Sequence, residues 1–265
     1  MIVRLELERS RKSNCLTFRR LYLRFFVFPE ERTLCEVKHV AAYRITGYDR
    51  ALAELRCMAA ELGTDVREHL GRALEALRSE IHDNWQTRDE VIDSARDRIV
   101  SHCFNIMGLQ QLRDQELRWI LGYQRIAQEL ERIADYACDV AELCELRSDW
   151  VCPDEIWNMA VQLRTMFDYA LANLSEDQEN VIDLDAQDER LDQIYAGLQQ
   201  ELVRTSKDNK VNQELGFKLI LARTLERMGD HVVNVGQEHL FVQTGQRRLA
   251  VPMLNAMQAE GVEGR

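Results

Sequence analysis

The sequence LERIAD at residues 130–135 occurs again as LERMGD at residues 225–230, which lie 95 positions further along the chain. The same offset aligns Val140 with Val235. Internal similarity at a fixed separation is typical of a repeated structural unit. The two stretches therefore predict a tandem duplication in which they occupy corresponding elements.

Apolar residues recur at intervals of three and four through most of the chain, and this period is typical of amphipathic helices. Pro153 is the one proline between Tyr48 and Gly245, and we expect it at the first position of a helix, where its missing N–H is tolerated. The pattern predicts a polar loop at 206–212. It also predicts three helices on each side of the proline, at about residues 51–79, 85–107, 114–148, 153–173, 175–205 and 213–245.

Turn-forming residues are scarce, since the 265 residues include 12 glycines and 3 prolines, about half the usual share. Sheet proteins need these residues in frequent turns, so an all-β fold is disfavoured. The fold class is therefore predicted to be all-α, with two tandem three-helix units at residues 48–150 and 153–246. Residues 1–45 are expected to form a poorly ordered N-terminal extension, and residues 247–265 a C-terminal tail.

The formal net charge is −11, and the acidic excess lies outside residues 1–50, which hold 11 basic and 6 acidic side chains. This disfavours nucleic acid as a partner, because phosphate binding needs clustered lysine and arginine. The seven cysteines form no C-x-x-C pair, which indicates reduced thiols and a cytoplasmic location. No apolar run reaches the length of about 18 residues that a membrane span needs. The basic and aromatic stretch at 16–28 leaves an interfacial segment open as an alternative to an unfolded leader.

Carboxylates spaced four residues apart recur in the second and third predicted helices of each half. This spacing places both side chains on one helix face, and each such pair of like charges destabilises a helix by about 0.2–0.5 kcal/mol. The recurrence predicts a compensating hard or borderline cation, held where two facing series meet. The series are Asp89, Asp93 and Asp97; Glu131, Asp135 and Asp139; Asp188 and Asp192; and Glu226 and Asp230.

Two alternatives compete with a regulatory cation site. One is a solvated acidic face that neighbouring arginines neutralise. The other is a metal-dependent enzyme or a metal store in a helical bundle, although the usual Glu-x-x-His ligands are missing. His231 and His239 could share one side of a helix, but without an H-E-x-x-H motif they are weak zinc ligands. The sequence contains no glycine-rich phosphate loop and no G-x-S-x-G motif, so we expect no enzymatic activity.

The stretches at residues 130–135 and 225–231 resemble the paired E-R-I-G-D motifs of the PhoU family, the phosphate-transport and phosphate-signalling regulators of bacteria. The segment QQLRDQELR at residues 110–118 is similar to the family segment that joins helices two and three. The resemblance covers about residues 48–245. It implies two tandem antiparallel three-helix bundles, no enzymatic activity, and metal clusters on the carboxylate series.

The resemblance also implies a place in the machinery that represses the phosphate-starvation response. PhoU proteins are understood to bridge the ATPase of the high-affinity phosphate ABC transporter and a sensor histidine kinase, often as homodimers. We therefore expect negative regulation of phosphate metabolism and peripheral recruitment to the membrane. A PhoU-like partner of a low-affinity phosphate or other ion transporter stays open as an alternative.

Carried onto this chain, the implied metal ligands are carboxylates only, and oxygen ligands select hard or borderline cations. The candidate ions are iron, zinc, manganese and magnesium. One departure from the family is Ala134, where the first motif usually has glycine. The implied ligands are Asp89, Asp93, Glu131, Asp135, Asp139, Asp188, Asp192, Glu226 and Asp230.

The register of the second helix admits two alignments with the fifth helix. The gap-free offset of 95 pairs Asp93 and Asp97 with the aspartates Asp188 and Asp192. The family pattern instead pairs Asp89 and Asp93 with them. The two alignments differ by four residues, about one helical turn, so the carboxylates stay on nearly the same face in both.

Overall fold

Six α-helices form the regular structure of the described residues, which are 47–79, 83–109, 112–147, 149–175, 183–204 and 209–246 of a computed structural model. The predicted all-α fold is confirmed. None of these helices is long and apolar enough to cross a bilayer. The expected extension at 1–45 and tail at 247–265 lie outside the described residues. The helices are α1 (Gly47–Glu75), α2 (Trp85–Leu109), α3 (Asp114–Leu146), α4 (Asp154–Ser175), α5 (Leu184–Arg204) and α6 (Asn209–Thr244).

Several helix starts differ from the prediction. The largest difference is at α5, which begins at Leu184 and not at about residue 175, because Ser175 still belongs to α4. Pro153 precedes the first helical residue of α4, and its carbonyl oxygen accepts a hydrogen bond from the backbone N–H of Trp157 at 3.1 Å. Pro153 therefore holds the cap position and not the first helical position. Helix α6 begins at Asn209, so the predicted loop at 206–212 is too long. Residues 209–212 are Asn, Lys, Val and Asn, of which only lysine is a strong helix former. This first turn is therefore helical because it continues into the helix that follows, and not because of its own propensity.

Within each repeat the three helices pack pairwise, and consecutive helices run antiparallel. The His102 imidazole of α2 lies 2.9 Å from the carbonyl oxygen of Ala51 in α1. The Trp85 indole N–H at the start of α2 donates to Glu145 near the end of α3 at 3.1 Å. Burial of a large aliphatic side chain stabilises the fold by about 1.5–3 kcal/mol. The largest fully buried side chains include Leu55, Leu62, Leu70, Ile99, Ile106, Ile120, Ile126, Leu130, Ile133, Ile156, Met159 and Phe167.

The two repeats join along α3 and α6, which pack against each other in antiparallel directions. A Glu129 carboxylate oxygen lies 2.7 Å from His231 Nδ1, and one turn earlier in α3 Arg125 pairs with Glu238 at 3.1 Å. Helices α1 and α4 also contact each other in antiparallel directions. Because corresponding helices meet in opposite directions, an approximate two-fold rotation relates the repeats.

Gly122 of α3 allows α6 to approach closely. A Cβ atom at this position would overlap Cγ2 of Val242, which is buried. Valine is branched at Cβ and has few rotamers, so it cannot turn the methyl group away at low cost. The missing side chain at Gly122 is therefore a packing requirement of the contact between the repeats.

Replacing Gly122 with alanine is expected to lower the free energy of unfolding by about 1–3 kcal/mol, because the new methyl group overpacks the contact between α3 and α6. Gly197→Ala is the matched control. No atom lies within 4 Å of a Cβ built at this helical position, so alanine there should stabilise by about 0.5–1 kcal/mol. Urea unfolding measures both. Equal effects of the two substitutions, or a cost of Gly122→Ala that Val242→Ala does not reduce, would contradict this packing account.

Candidate metal centre

The predicted carboxylates form two strips, one in each repeat. Each strip follows the line along which the middle helix and the last helix of its repeat pack together. The repeat-1 strip comprises Asp89 and Asp93 of α2 and Glu131, Asp135 and Asp139 of α3. The repeat-2 strip comprises Asp188 and Asp192 of α5 and Glu226 and Asp230 of α6.

The structure favours the family register of the second helix. Burial, followed by repulsion from Asp135, raises the pKa of Asp89. Burial, followed by repulsion from Asp230, raises the pKa of Asp188. Asp135 and Asp230 occupy corresponding positions in the two motifs, so Asp89 corresponds to Asp188. Asp97, which the gap-free alignment would include, has a side chain that is 71% exposed and lies at the edge of the strip.

Burial raises the pKa of two carboxyl groups of the repeat-2 strip, Asp188 and Glu226. The pKa of Asp188 is raised to about 7, because burial disfavours its charged form and the neighbouring carboxylates, first that of Asp230, add repulsion. The Glu226 side chain is only 10% exposed, and burial raises its pKa against the opposing effect of Arg223. A cation between these groups would stabilise their charged forms.

Three oxygen atoms of the strips are buried without a hydrogen-bond partner among the described residues. They are Oδ1 of Asp89, Oδ1 of Asp188 and Oε2 of Glu226. A buried acceptor that lacks a partner costs about 1–3 kcal/mol, and more when it carries charge. Two of these atoms belong to one strip and the third to the equivalent position of the other. The donor set therefore fits a hard or borderline cation.

The strips supply their oxygens along a line and not as a closed cage. Within the described ranges, no three histidine, cysteine, aspartate or glutamate side chains converge closely enough to enclose a metal ion. A cation held here would keep part of its hydration shell, as Mg²⁺ commonly does when it binds through one or two carboxylates.

Arginines neutralise part of each strip, as the alternative of an acidic face with neighbouring arginines predicts. Arg132 Nη1 lies 3.1 Å from Asp135 Oδ2, and Arg223 Nη1 lies 2.6 Å from Glu226 Oε1. Each of these arginines sits on the same helix as its carboxylate, and Arg132 also lies 3.7 Å from Glu131 Oε2. Among the described residues, the Oδ1 atoms of Asp89 and Asp188 keep no such partner. The arginine-neutralised face therefore describes part of each strip, and the cation site stays a prediction.

Gly229 sets the approach of α5 to α6 at the repeat-2 strip. A Cβ atom at this position would overlap Asp188 Oδ1 and would lie 2.7 Å from Leu191 Cδ1. The motif glycine thus allows the Asp188 carboxylate to rest against the α6 backbone. Ala134, which is fully buried, stands at the corresponding position of repeat 1, and its methyl group keeps a carboxylate from approaching as closely.

The repeat-1 strip opens into a cavity of about 400 Å³, where the structure adds a residue that sequence reasoning missed. Cys138 lines this cavity, and its Sγ atom lies 3.2 Å from Nε2 of the buried His69. Burial, followed by repulsion from Asp89, raises the pKa of Cys138 to about 12, so the thiol stays protonated. Because Cys138 lies three residues after Asp135, the sequence could have placed it on the same helix face as the strip. The other lining residues are Asp89, Asp135, Asp139, Arg132, Tyr136 and Glu142.

The two histidines considered as zinc ligands already have hydrogen-bonding neighbours. His231 Nδ1 contacts Glu129, and His239 Nε2 lies 2.9 Å from the side-chain amide of Gln243. No disulfide bond joins the described cysteines, and the reduced state stays a prediction. The described cysteines are Cys57, Cys103, Cys138, Cys144 and Cys152.

Comparison with known families finds that a sequence model of the PhoU domain matches residues 59–144 and 156–238. Each match falls within one of the three-helix repeats. The chain is 27% identical over 207 residues to a phosphate-specific transport system accessory protein PhoU homolog of Streptococcus pneumoniae, covering 75% of this chain and 96% of the relative. It is 26% identical over 211 residues to PhoU homolog 1 of Thermotoga maritima, covering 75% and 89%.

Two solved structures share the fold. The crystal structure of the phosphate transport system regulatory protein PhoU from Streptococcus pneumoniae matches with a TM-score of 0.64 at 22% identity, over 77% of this chain and 100% of that one. PhoU from Pseudomonas aeruginosa matches with a TM-score of 0.65 at 23% identity, over 75% and 100%. The predicted architecture of two tandem three-helix bundles is confirmed.

The raised pKa of Asp188 gives the metal-free protein a defined pH dependence. Folded Asp188 keeps its proton up to a pKa of about 7, whereas the ordinary value is 3.8. The folded state therefore binds more protons in this window, and its stability falls as the pH rises through it. In the presence of a chelator, the free energy of unfolding of Asp188→Asn is compared with that of the wild type. The advantage of the variant is expected to be about 1–3 kcal/mol larger at about pH 8 than at about pH 4.

Urea unfolding at both pH values measures this gain, and Asp97→Asn is the control because that carboxylate is exposed. If the stability advantage of Asp188→Asn is the same at both pH values, or if Asp97→Asn shows the same pH dependence, Asp188 is not the source of the pH dependence.

Proposed function

The chain belongs to the PhoU family, and from this membership we propose that it is a non-enzymatic regulator of phosphate uptake and of phosphate-starvation signalling. The observation that carries the proposal is the match of the PhoU domain to both repeats. The relatives that match over most of their length are named as accessory proteins of the phosphate-specific transport system. The proposed place of action is the cytoplasm, with peripheral recruitment to the membrane.

The proposed partners are the ATPase of a phosphate ABC transporter and a sensor histidine kinase, which the protein, as a homodimer, would bridge. An adaptor changes its partner's activity only if it binds two partner conformations with different affinity. Repression of the starvation response in high phosphate then requires tighter binding to the conformation that the transporter adopts under those conditions.

The repeat-2 strip is the proposed metal site. Asp188 and Glu226 each present a buried oxygen without a hydrogen-bond partner, and Asp192 and Asp230 add carboxylates beside them. A bound cation would supply positive charge between α5 and α6. The protein's own part is to hold the oxygens in place, with Gly229 setting the distance between the two helices.

The combined substitution Asp188→Asn and Glu226→Gln is expected to remove most of the metal that the purified protein binds. Both changes keep the size of the side chain and remove the charge that attracts a cation. Elemental analysis after dialysis against Mn²⁺, Fe²⁺, Zn²⁺ or Mg²⁺ measures the content. Asp97→Asn is the matched control and should retain wild-type metal. Equal metal content in all three proteins would exclude the repeat-2 strip as the site.

Deleting the gene is expected to switch on phosphate-scavenging genes in cells grown with ample phosphate, because the proposed repressor is then missing. A transcriptional reporter for a secreted phosphatase measures the response, and the wild-type gene should restore repression. Unchanged expression would contradict the proposed signalling role. Altered phosphate uptake with unchanged expression would favour the alternative of a partner of a low-affinity transporter.

A further inference from the structure

The two strips differ at one position beside the second aspartate of the middle helix. Three residues after Asp93, repeat 1 has Arg96; three residues after Asp192, repeat 2 has Tyr195. Positions three apart lie on nearly the same helix face, so both residues border their strip. Repeat 1 thus carries a permanent positive charge where repeat 2 carries an uncharged ring.

Arg96 links the two helices of the repeat-1 strip. Its Nη2 atom lies 2.8 Å from Asp93 Oδ1 on its own helix and 3.6 Å from Glu131 Oε1 on α3. The Arg96 side chain is 27% exposed, and that of Glu131 only 14%. One guanidinium nitrogen is therefore shared by a partly exposed carboxylate of α2 and a nearly buried carboxylate of α3, which is the position that a bridging cation would take.

Repeat 2 has no equivalent link among its described residues. Tyr195 contacts Arg223, whose guanidinium carbon lies 5.2 Å from the centre of the ring. Arg223 comes from α6, the same helix as Glu226, and leaves the Oε2 atom of that glutamate buried without a hydrogen-bond partner. Arg223 also attracts Asp192 of α5 electrostatically. Its ion pair to a strip carboxylate is nevertheless with its own helix, α6, whereas Arg96 contacts carboxylates of both α2 and α3.

We propose that Arg96 is a built-in cation that takes the place of a metal ion at Asp93 and Glu131, so that metal loading is confined mainly to repeat 2. The inference rests on the proposed metal-binding role of the strips. An arginine side chain stays protonated in proteins, so the positive charge is permanent. A metal ion at this point would have to displace the guanidinium from oxygens that both need, and the two cations would repel each other.

The test measures Mn²⁺ bound per chain by equilibrium dialysis of the purified full chain. Arg96→Gln is expected to roughly double the bound Mn²⁺, because it frees the oxygens of Asp93 and Glu131 for a second site. Arg96→Lys, which keeps a positive charge, should show little gain. Arg98→Gln is the matched control, since it removes an exposed arginine from the same helix, and should leave the bound Mn²⁺ unchanged.

A second arm begins with a variant that keeps Arg96. In the otherwise wild-type chain, Asp93→Asn with Glu131→Gln is expected to leave the bound Mn²⁺ unchanged. The same pair of changes added to Arg96→Gln should abolish the gain. A loss of Mn²⁺ in the first case, or no gain from Arg96→Gln, would overturn the inference.

The repeat-2 variant Asp188→Asn with Glu226→Gln separates this inference from the proposal on which it rests. A gain from Arg96→Gln alongside full Mn²⁺ binding by the repeat-2 variant would support the role of Arg96 and refute the repeat-2 site. Loss of Mn²⁺ in the repeat-2 variant without a gain from Arg96→Gln would refute the role of Arg96 alone.

Discussion

In each repeat, the middle helix packs against the last helix and brings acidic side chains of both helices together in one carboxylate strip. Each helix alone could present its aspartates to water, where like charges four residues apart cost only a few tenths of a kcal/mol (about 0.2–0.5). The close contact of the two helices removes that option. The Asp188 carboxylate then loses contact with water and is repelled by that of Asp230. Protons or a positive charge between the helices would therefore stabilise the strip.

The last helix of each repeat serves two contacts at once. In α3, Glu131 borders α2 through Arg96, whereas Glu129 contacts His231 of α6. Residues two apart on a helix point to different sides, so the carboxylate strip and the joint between the repeats occupy separate faces.

The repeat and the helices could be predicted from the sequence because apolar periodicity and internal similarity are local signals. The spacing of Glu131 and Asp135 likewise defines a helix face without reference to any partner. The register between helices is different, since it depends on how two surfaces pack. The gap-free alignment therefore admitted Asp97 and the family pattern selected Asp89, and the packed structure favours the family register.

Residues that act across helices were the ones that sequence reasoning missed. Arg96 and Cys138 each lie three positions after a predicted ligand, a spacing that many charged or apolar residues share in a helical chain. What gives Arg96 a role is its contact with Glu131, which lies on another helix. Cys138 gains its place from the cavity beside Asp89. Such roles come from tertiary contacts that no single helix encodes.

Anomalous diffraction from crystals grown with Mn²⁺ would test most directly whether the repeat-2 strip is a cation site. The account predicts a manganese peak between α5 and α6, within bonding distance of carboxylate oxygens of Asp188 and Glu226. A map with no peak there, in which these oxygens instead contact arginine or ordered water, would contradict it.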